Sequence, residues 1–194
     1  MVSFKKMIRS DLNVVQSYIG VFNHPTKIVV YGALLSLIAT ILQSAGFFGG
    51  IGFLFSALST LPILLSCILS LRMGFITYLV TFLLLFIIQP SELITYPLTT
   101  GILGLGMGLA FRLFKKELPI ALFSGIFLTL GIMIALYIIK FPLLGPSVES
   151  TINIKTPIMI FLFSFIYSWG WIKLFVYLVK KFNGIWKKKQ NNVG

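Results

Sequence analysis

The chain has 194 residues, 58% hydrophobic and 10% charged, with a mean hydropathy of +1.02 and a formal net charge of +12. A water-soluble domain of this length could not cover so much apolar surface with so few charges. Apolar runs of about 18 residues or more recur, enough for a helix to cross roughly 30 Å of hydrocarbon. They are continuous rather than alternating, which argues against a β-barrel. The expectation is an all-α, polytopic membrane protein.

Residues 1–26 read as a cytoplasmic amphipathic segment. Charged and amide side chains interrupt it too often for a secretory signal. Phe4, Ile8, Leu12, Val15, Ile19 and Phe22 share one helical arc, with Lys6, Arg9, Asn13 and Ser17 opposite. That pattern suits a helix in the membrane interface. Docking on the protein's own cytoplasmic face fits it as well, and Asp11 sits beside the apolar arc. His24-Pro25 then breaks the helix.

Six transmembrane helices are predicted, over 27–45, 51–69, 73–88, 93–111, 119–139 and 157–179. They make one domain, 27–179, followed by a basic tail, 180–194. The first span carries Gly32, Ser36 and Thr40 at four-residue spacing, a small-residue face suited to close helix approach in lipid. It is the expected subunit contact, with packing inside the bundle as the rival reading. Gln43 and Ser44 end that span, and a "GFFGG" turn follows. The second span contains Pro62 and the lone cysteine, Cys67, which reads as a buried, inert thiol. Gln89, Ser91, Glu92, Thr95 and Tyr96 cluster at the turn into the fourth span, with Thr99 and Thr100 one turn deeper. Pro97 removes a helical donor there, leaving carbonyls near residue 93 free. Glu92 reads either as a helix N-terminal carboxylate or as a ligand contact. Gly104 and Gly108 form a GxxxG in the fourth span, for which packing inside the bundle is the plain reading. A long connection, 140–156, carries Glu149 and Asn153 and has the length of a binding loop. Trp169 and Trp171 fall past the middle of the sixth span, as bulky packing or as a flat wall for a ring-shaped ligand.

Charge sets the expected orientation. With both termini inside, thirteen Lys and Arg lie in cytoplasmic segments and two, Lys140 and Lys155, lie outside; Lys173 is near the inner end of the last span. The positive-inside rule then gives N-in, C-in, and a multi-pass cell-membrane location with both termini cytoplasmic. The basic excess is accounted for by this topology and by anionic lipid headgroups, without nucleic acid.

The residues needed for catalysis are lacking. His24 is the sole histidine, and the four acids, Asp11, Glu92, Glu117 and Glu149, are far apart in sequence. No paired metal ligands or positioned nucleophile follow, so no catalytic residue, metal or cofactor is expected and the chain is not read as an enzyme. The candidate ligand set is Gln43, Gln89, Glu92, Thr95, Tyr96, Thr99, Asn153 and Trp169.

With six spans, a small-residue first helix ("YGALLSLIATIL") and a polar outer mouth, the chain resembles the substrate-binding S components of energy-coupling factor (ECF) transporters. The resemblance covers residues 27–179 and implies a binding subunit for a vitamin-type micronutrient. It also implies a transmembrane coupling subunit and two cytoplasmic ATPases as partners, which fits the lack of a P-loop here. Where that family often has alanines four apart, this chain has Gly32, Ser36 and Thr40. The alternative is a non-catalytic accessory, immunity or assembly protein that acts through helix–helix contacts.

Overall fold

The computed structural model describes residues 12–20, 24–141 and 155–191, with side chains as far as residue 183. Among these residues every element is helical. Six helical segments are long and apolar enough to cross a membrane: Pro25–Phe48, Ile51–Leu69, Leu71–Ile88, Pro90–Leu113, Glu117–Ile138 and Lys155–Asn183. These are spans one to six. Phe4, Ile8, Asp11, Phe22, Glu149 and Asn153 lie outside the described residues.

Span one packs mainly on span three and span two. Span two packs on span four, span four on span five, and span five on span six. Glycines set the closest of these approaches. A Cβ on Gly104 would stand 2.9 Å from Ile63 and 3.1 Å from the Thr60 carbonyl oxygen. Gly108 and Gly74 close on Cys67 from two sides, on spans four and three. The GxxxG therefore joins spans four and two within the bundle, as the plain reading has it, and Cys67 is buried between glycines.

Proline breaks shape spans two and four. Pro62 cannot donate to the carbonyl of Leu58, and the helix Ile51–Leu58 gives way there to a second helix, Thr60–Leu69, with Ser59 at the junction. In span four, a 3₁₀ turn, Pro90–Leu93, and a short helix, Thr95–Leu98, precede the main helix, Thr100–Leu113. Pro97 removes one backbone donor from this stretch. Thr99, at φ −122° and ψ −89°, separates the two helices. Its hydroxyl donates back to the Thr95 carbonyl at 2.5 Å.

The small-residue face of span one is turned inward. Ser36 and Thr40 are buried, and Gly32 lies against Met73 and Thr77. The Ser36 hydroxyl donates to the carbonyls of Gly32 at 2.7 Å and Thr77 at 3.2 Å, and Thr77 donates to Gly32 at 3.3 Å. Span three therefore occupies the face that the sequence reading assigned to another subunit. In lipid, shape and interhelical hydrogen bonds drive such packing, and both are satisfied here within one chain. The outward row of span one is Val30, Leu34, Leu37 and Ile41.

The end of the bundle carrying Lys27, Arg72, Arg112, Lys115 and Lys116 is the basic end. There the Arg112 guanidinium donates to the carbonyls of Cys67 and Ile68, at 3.0 and 3.1 Å, capping the C-terminus of span two. A cation suits both the free carbonyls and the helix dipole. Residues 12–16 form a helical turn across this end. Leu12 and Val15 are buried in the main core cluster, which includes Phe111, Phe175 and Val176. Gln16 donates to the Phe114 carbonyl at 3.3 Å, and the Gly20 amide donates to that of Ile68 at 3.0 Å. For these residues, docking on the protein itself is the arrangement seen.

The last helix, Lys155–Asn191, has 37 residues, or about 55 Å at 1.5 Å per residue. Its antiparallel register on span five is set by the ion pair Lys173 Nζ–Glu117 Oε2, 2.7 Å, and by Gly125 against Ser164 and Phe165. Glu117 is the first residue of span five. The helix therefore continues past the start of its neighbour for 18 residues, Leu174 to Asn191, or about 27 Å.

Candidate functional site

At the end opposite the basic one, spans one, two and four close around a single amide. Gln43 is fully buried in the last turn of the α-helix Pro25–Ser44, the main part of span one. Its Nε2 donates to Glu92 Oε2 at 2.9 Å. Its Oε1 accepts from the hydroxyls of Ser59 at 2.6 Å and Thr100 at 2.8 Å. Each partner arrives for a local reason. Ser59 sits at the junction that Pro62 imposes on span two, Thr100 opens the main helix of span four after the Thr99 break, and Glu92 lies in the 3₁₀ turn after Pro90. Gly46 makes room for the carboxylate, since a Cβ there would stand 2.8 Å from Glu92 Oε1.

A buried amide with its acceptor doubly used and its donor charge-assisted is well satisfied, which is what a polar group at this depth requires. Glu92 itself is half-buried, and among the described residues no Lys or Arg forms an ion pair with it. Its Oε1 edge lies against backbone without a Cβ, so the carboxylate keeps capacity for a further donor. It can hold a cation or a hydrogen-bond donor. The cluster contains one carboxylate, one amide and two hydroxyls.

Of the candidate ligand residues, the structure brings together Gln43 and Glu92. Gln89 turns back on its own loop and donates to Ser91 at 2.7 Å. Thr99 is used in the span-four break, and Thr95 supplies the carbonyl there. Tyr96 is fully buried, its hydroxyl donating to the Tyr78 carbonyl at 3.2 Å and its ring stacked on Tyr78 at 5.6 Å. It ties span four to span three instead of lining a mouth. Trp169 is on span six, against Phe165 at 5.6 Å, and is 40% exposed. Trp171 is buried beside Tyr167. The register on span five puts both tryptophans within about 6 Å, along the helix, of the Lys173–Glu117 level. They are thus near the basic end, and the interface preference of tryptophan needs no ligand to explain it. Asn153 is outside the described residues.

Ser59 and Thr100 were absent from the candidate set. Ser59 sits in an apolar run, and the one available signal was Pro62 three residues on, which marks a break where a polar side chain can turn inward.

Comparison with known families, curated proteins and solved structures finds no match for this chain.

Proposed function

We propose that this chain is an integral membrane substrate-binding subunit, of the kind that hands a small micronutrient to partner subunits powered by ATPases. The observation that carries the reading is the Glu92–Gln43–Ser59–Thr100 cluster, assembled from three spans at one end of the bundle. Glu92 is the group that meets the ligand, and Gln43 holds its carboxylate in place. The ligand is small and polar or cationic. Any coupling subunit would dock elsewhere than on Gly32, Ser36 and Thr40, since span three covers that face.

Glu92→Gln tests this. It keeps an oxygen for Gln43 and removes the charge. A hydrogen bond to a charged group is worth about 1.5–3 kcal/mol, so affinity should fall roughly tenfold to hundredfold. Native mass spectrometry of the purified protein should show a co-purifying small molecule that Glu92→Gln loses, while the thermal midpoint hardly moves. Equal occupancy in both proteins would remove Glu92 from the binding role.

The accessory-protein reading is favoured by one observation: both ends of the Gln43 amide already find partners inside the chain.

Both readings share an orientation with the basic end in the cytoplasm, supported by the distribution of Lys and Arg. In a Cys67→Ala background, an impermeant thiol reagent applied to intact cells should label Ser147→Cys and leave Gln190→Cys unlabelled. The reverse pattern would invert the topology.

A further inference from the structure

Gly46 is a glycine without a conformational reason. Gly49 and Gly50, with φ of 61° and 45°, use the freedom of glycine to turn the chain from span one into span two. Gly46 lies in the 3₁₀ turn Ala45–Phe48 and has no positive φ. What a side chain would meet there is a pair of oxygens. A Cβ would stand 2.8 Å from Glu92 Oε1 and 3.4 Å from Ser56 Oγ. The two oxygens therefore flank one small volume over Gly46, the carboxylate from span four and the hydroxyl from span two.

The turn that leaves span one also delivers Ser56. The helix Ile51–Leu58 buries two residues, Gly52 and Ser56, four apart on one face. Gly52 lies directly against the Ala45 carbonyl, and Ser56 follows one turn later against Gly46. Ser56 is 8% exposed, and among the described residues its hydroxyl makes no hydrogen bond. Ser36, Thr40 and Ser124 behave differently, since their hydroxyls donate to the carbonyl four residues back. The hydroxyls of Ser44 and Thr60, next in sequence to Gln43 and Ser59, are also buried without a partner. Buried hydroxyls left open in this way call for an ion, a water or a ligand to complete them.

We propose that Glu92 Oε1 and Ser56 Oγ, over the floor formed by Gly46, bind a small monovalent cation, either an alkali ion or the ammonium head of an organic solute. The inference rests on Glu92 as the group that meets the ligand, and it adds the charge of that ligand and its second contact. Gln43 holds Oε2, which leaves Oε1 turned towards Ser56. Both contact atoms are oxygens with free lone pairs, as a hard cation or an ammonium group requires. The carboxylate is the one charge among Glu92, Gln43, Ser56, Ser59 and Thr100. A single positive charge neutralises it, whereas a divalent ion would leave an uncompensated charge in a largely desolvated place. With its oxygen on the cation, the Ser56 hydroxyl is free to donate one turn back along its helix, as those of Ser36 and Thr40 do.

Thermal unfolding of the full chain in detergent tests this, with sodium, potassium or methylammonium chloride exchanged for N-methylglucamine chloride at constant ionic strength. At least one small cation should raise the midpoint saturably, because a ligand that binds the folded state stabilises it. A response to sodium or potassium identifies an alkali-ion site, and a response to methylammonium alone identifies an ammonium head. Ser56→Ala should raise the half-saturating concentration about tenfold, and Glu92→Gln and Gly46→Ala should abolish the response. Ser56→Ala loses no hydrogen bond within the described chain, so its midpoint without the cation should stay close to that of the wild type. Ser91→Ala, an exposed hydroxyl in the same turn as Glu92, should respond as the wild type does. Equal midpoints in all four salts, or a response that Ser56→Ala leaves unchanged, would overturn the cation site. The ligand role of Glu92 would then still be decided separately, by whether Glu92→Gln loses a co-purifying molecule.

Discussion

Gly131→Ala should be among the most damaging single-methyl changes in this protein. Gly131 lies on span five directly against the carbonyl oxygen of Leu98, where span four is broken before its main helix. A Cβ at Gly131 would fall far inside van der Waals contact of that oxygen. The obstacle is backbone, held in place by Pro97 on one side and by the Thr99 break on the other, so no rotamer change can relieve it. Overpacking of this kind costs about 1–3 kcal/mol and occasionally more, and the upper figure corresponds to roughly 6–12 °C in a chain of this size. Gly170→Ala is the control. Nothing lies within 4 Å of its Cβ position, and replacing a mid-helix glycine gains about 0.5–1 kcal/mol. Thermal unfolding in detergent should separate the two variants clearly. Equal midpoints would mean that spans four and five do not meet through this carbonyl.

Gln43→Leu should cost a similar amount by a different route. Leucine fills much of the same volume but leaves Glu92, Ser59 and Thr100 without the amide that joins them. The two hydroxyls can turn to backbone carbonyls one turn back, as those of Ser36 and Thr40 do. The carboxylate has no such recourse, so most of the loss falls on Glu92. Leaving a buried or half-buried polar group unpaired costs about 1–3 kcal/mol, more when it is charged, so a fall of about 3 kcal/mol is expected. A Gln43→Leu protein as stable as the wild type would show that the cluster does not hold the three spans together.

Much of this architecture was legible in the residues. Run length and composition determined six helices of membrane-crossing size, because a backbone in hydrocarbon must satisfy its own hydrogen bonds and only long apolar helices do so simply. Pro97 marked the interrupted start of span four, since proline lacks the donor a helix interior needs, whereas the second span was read as continuous through Pro62. Glu92 stood out because a lone acid between apolar runs requires a reason. The partners of these features were not legible. Helical periodicity shows that Gly32, Ser36 and Thr40 share a face, but the same face would serve a subunit or a neighbouring span. Only the position of Thr77 on span three decided between them. Trp169 and Trp171 looked like mid-span residues because the last helix was taken to end with the membrane. The Lys173–Glu117 pair shows that the helix runs on past span five. Ser59 and Thr100 became site residues only when spans two and four met span one at Gln43. Local sequence sets which side of a helix can be buried, whereas the neighbour that buries it depends on shape and hydrogen bonds between segments tens of residues apart, and in lipid no hydrophobic gradient selects among them.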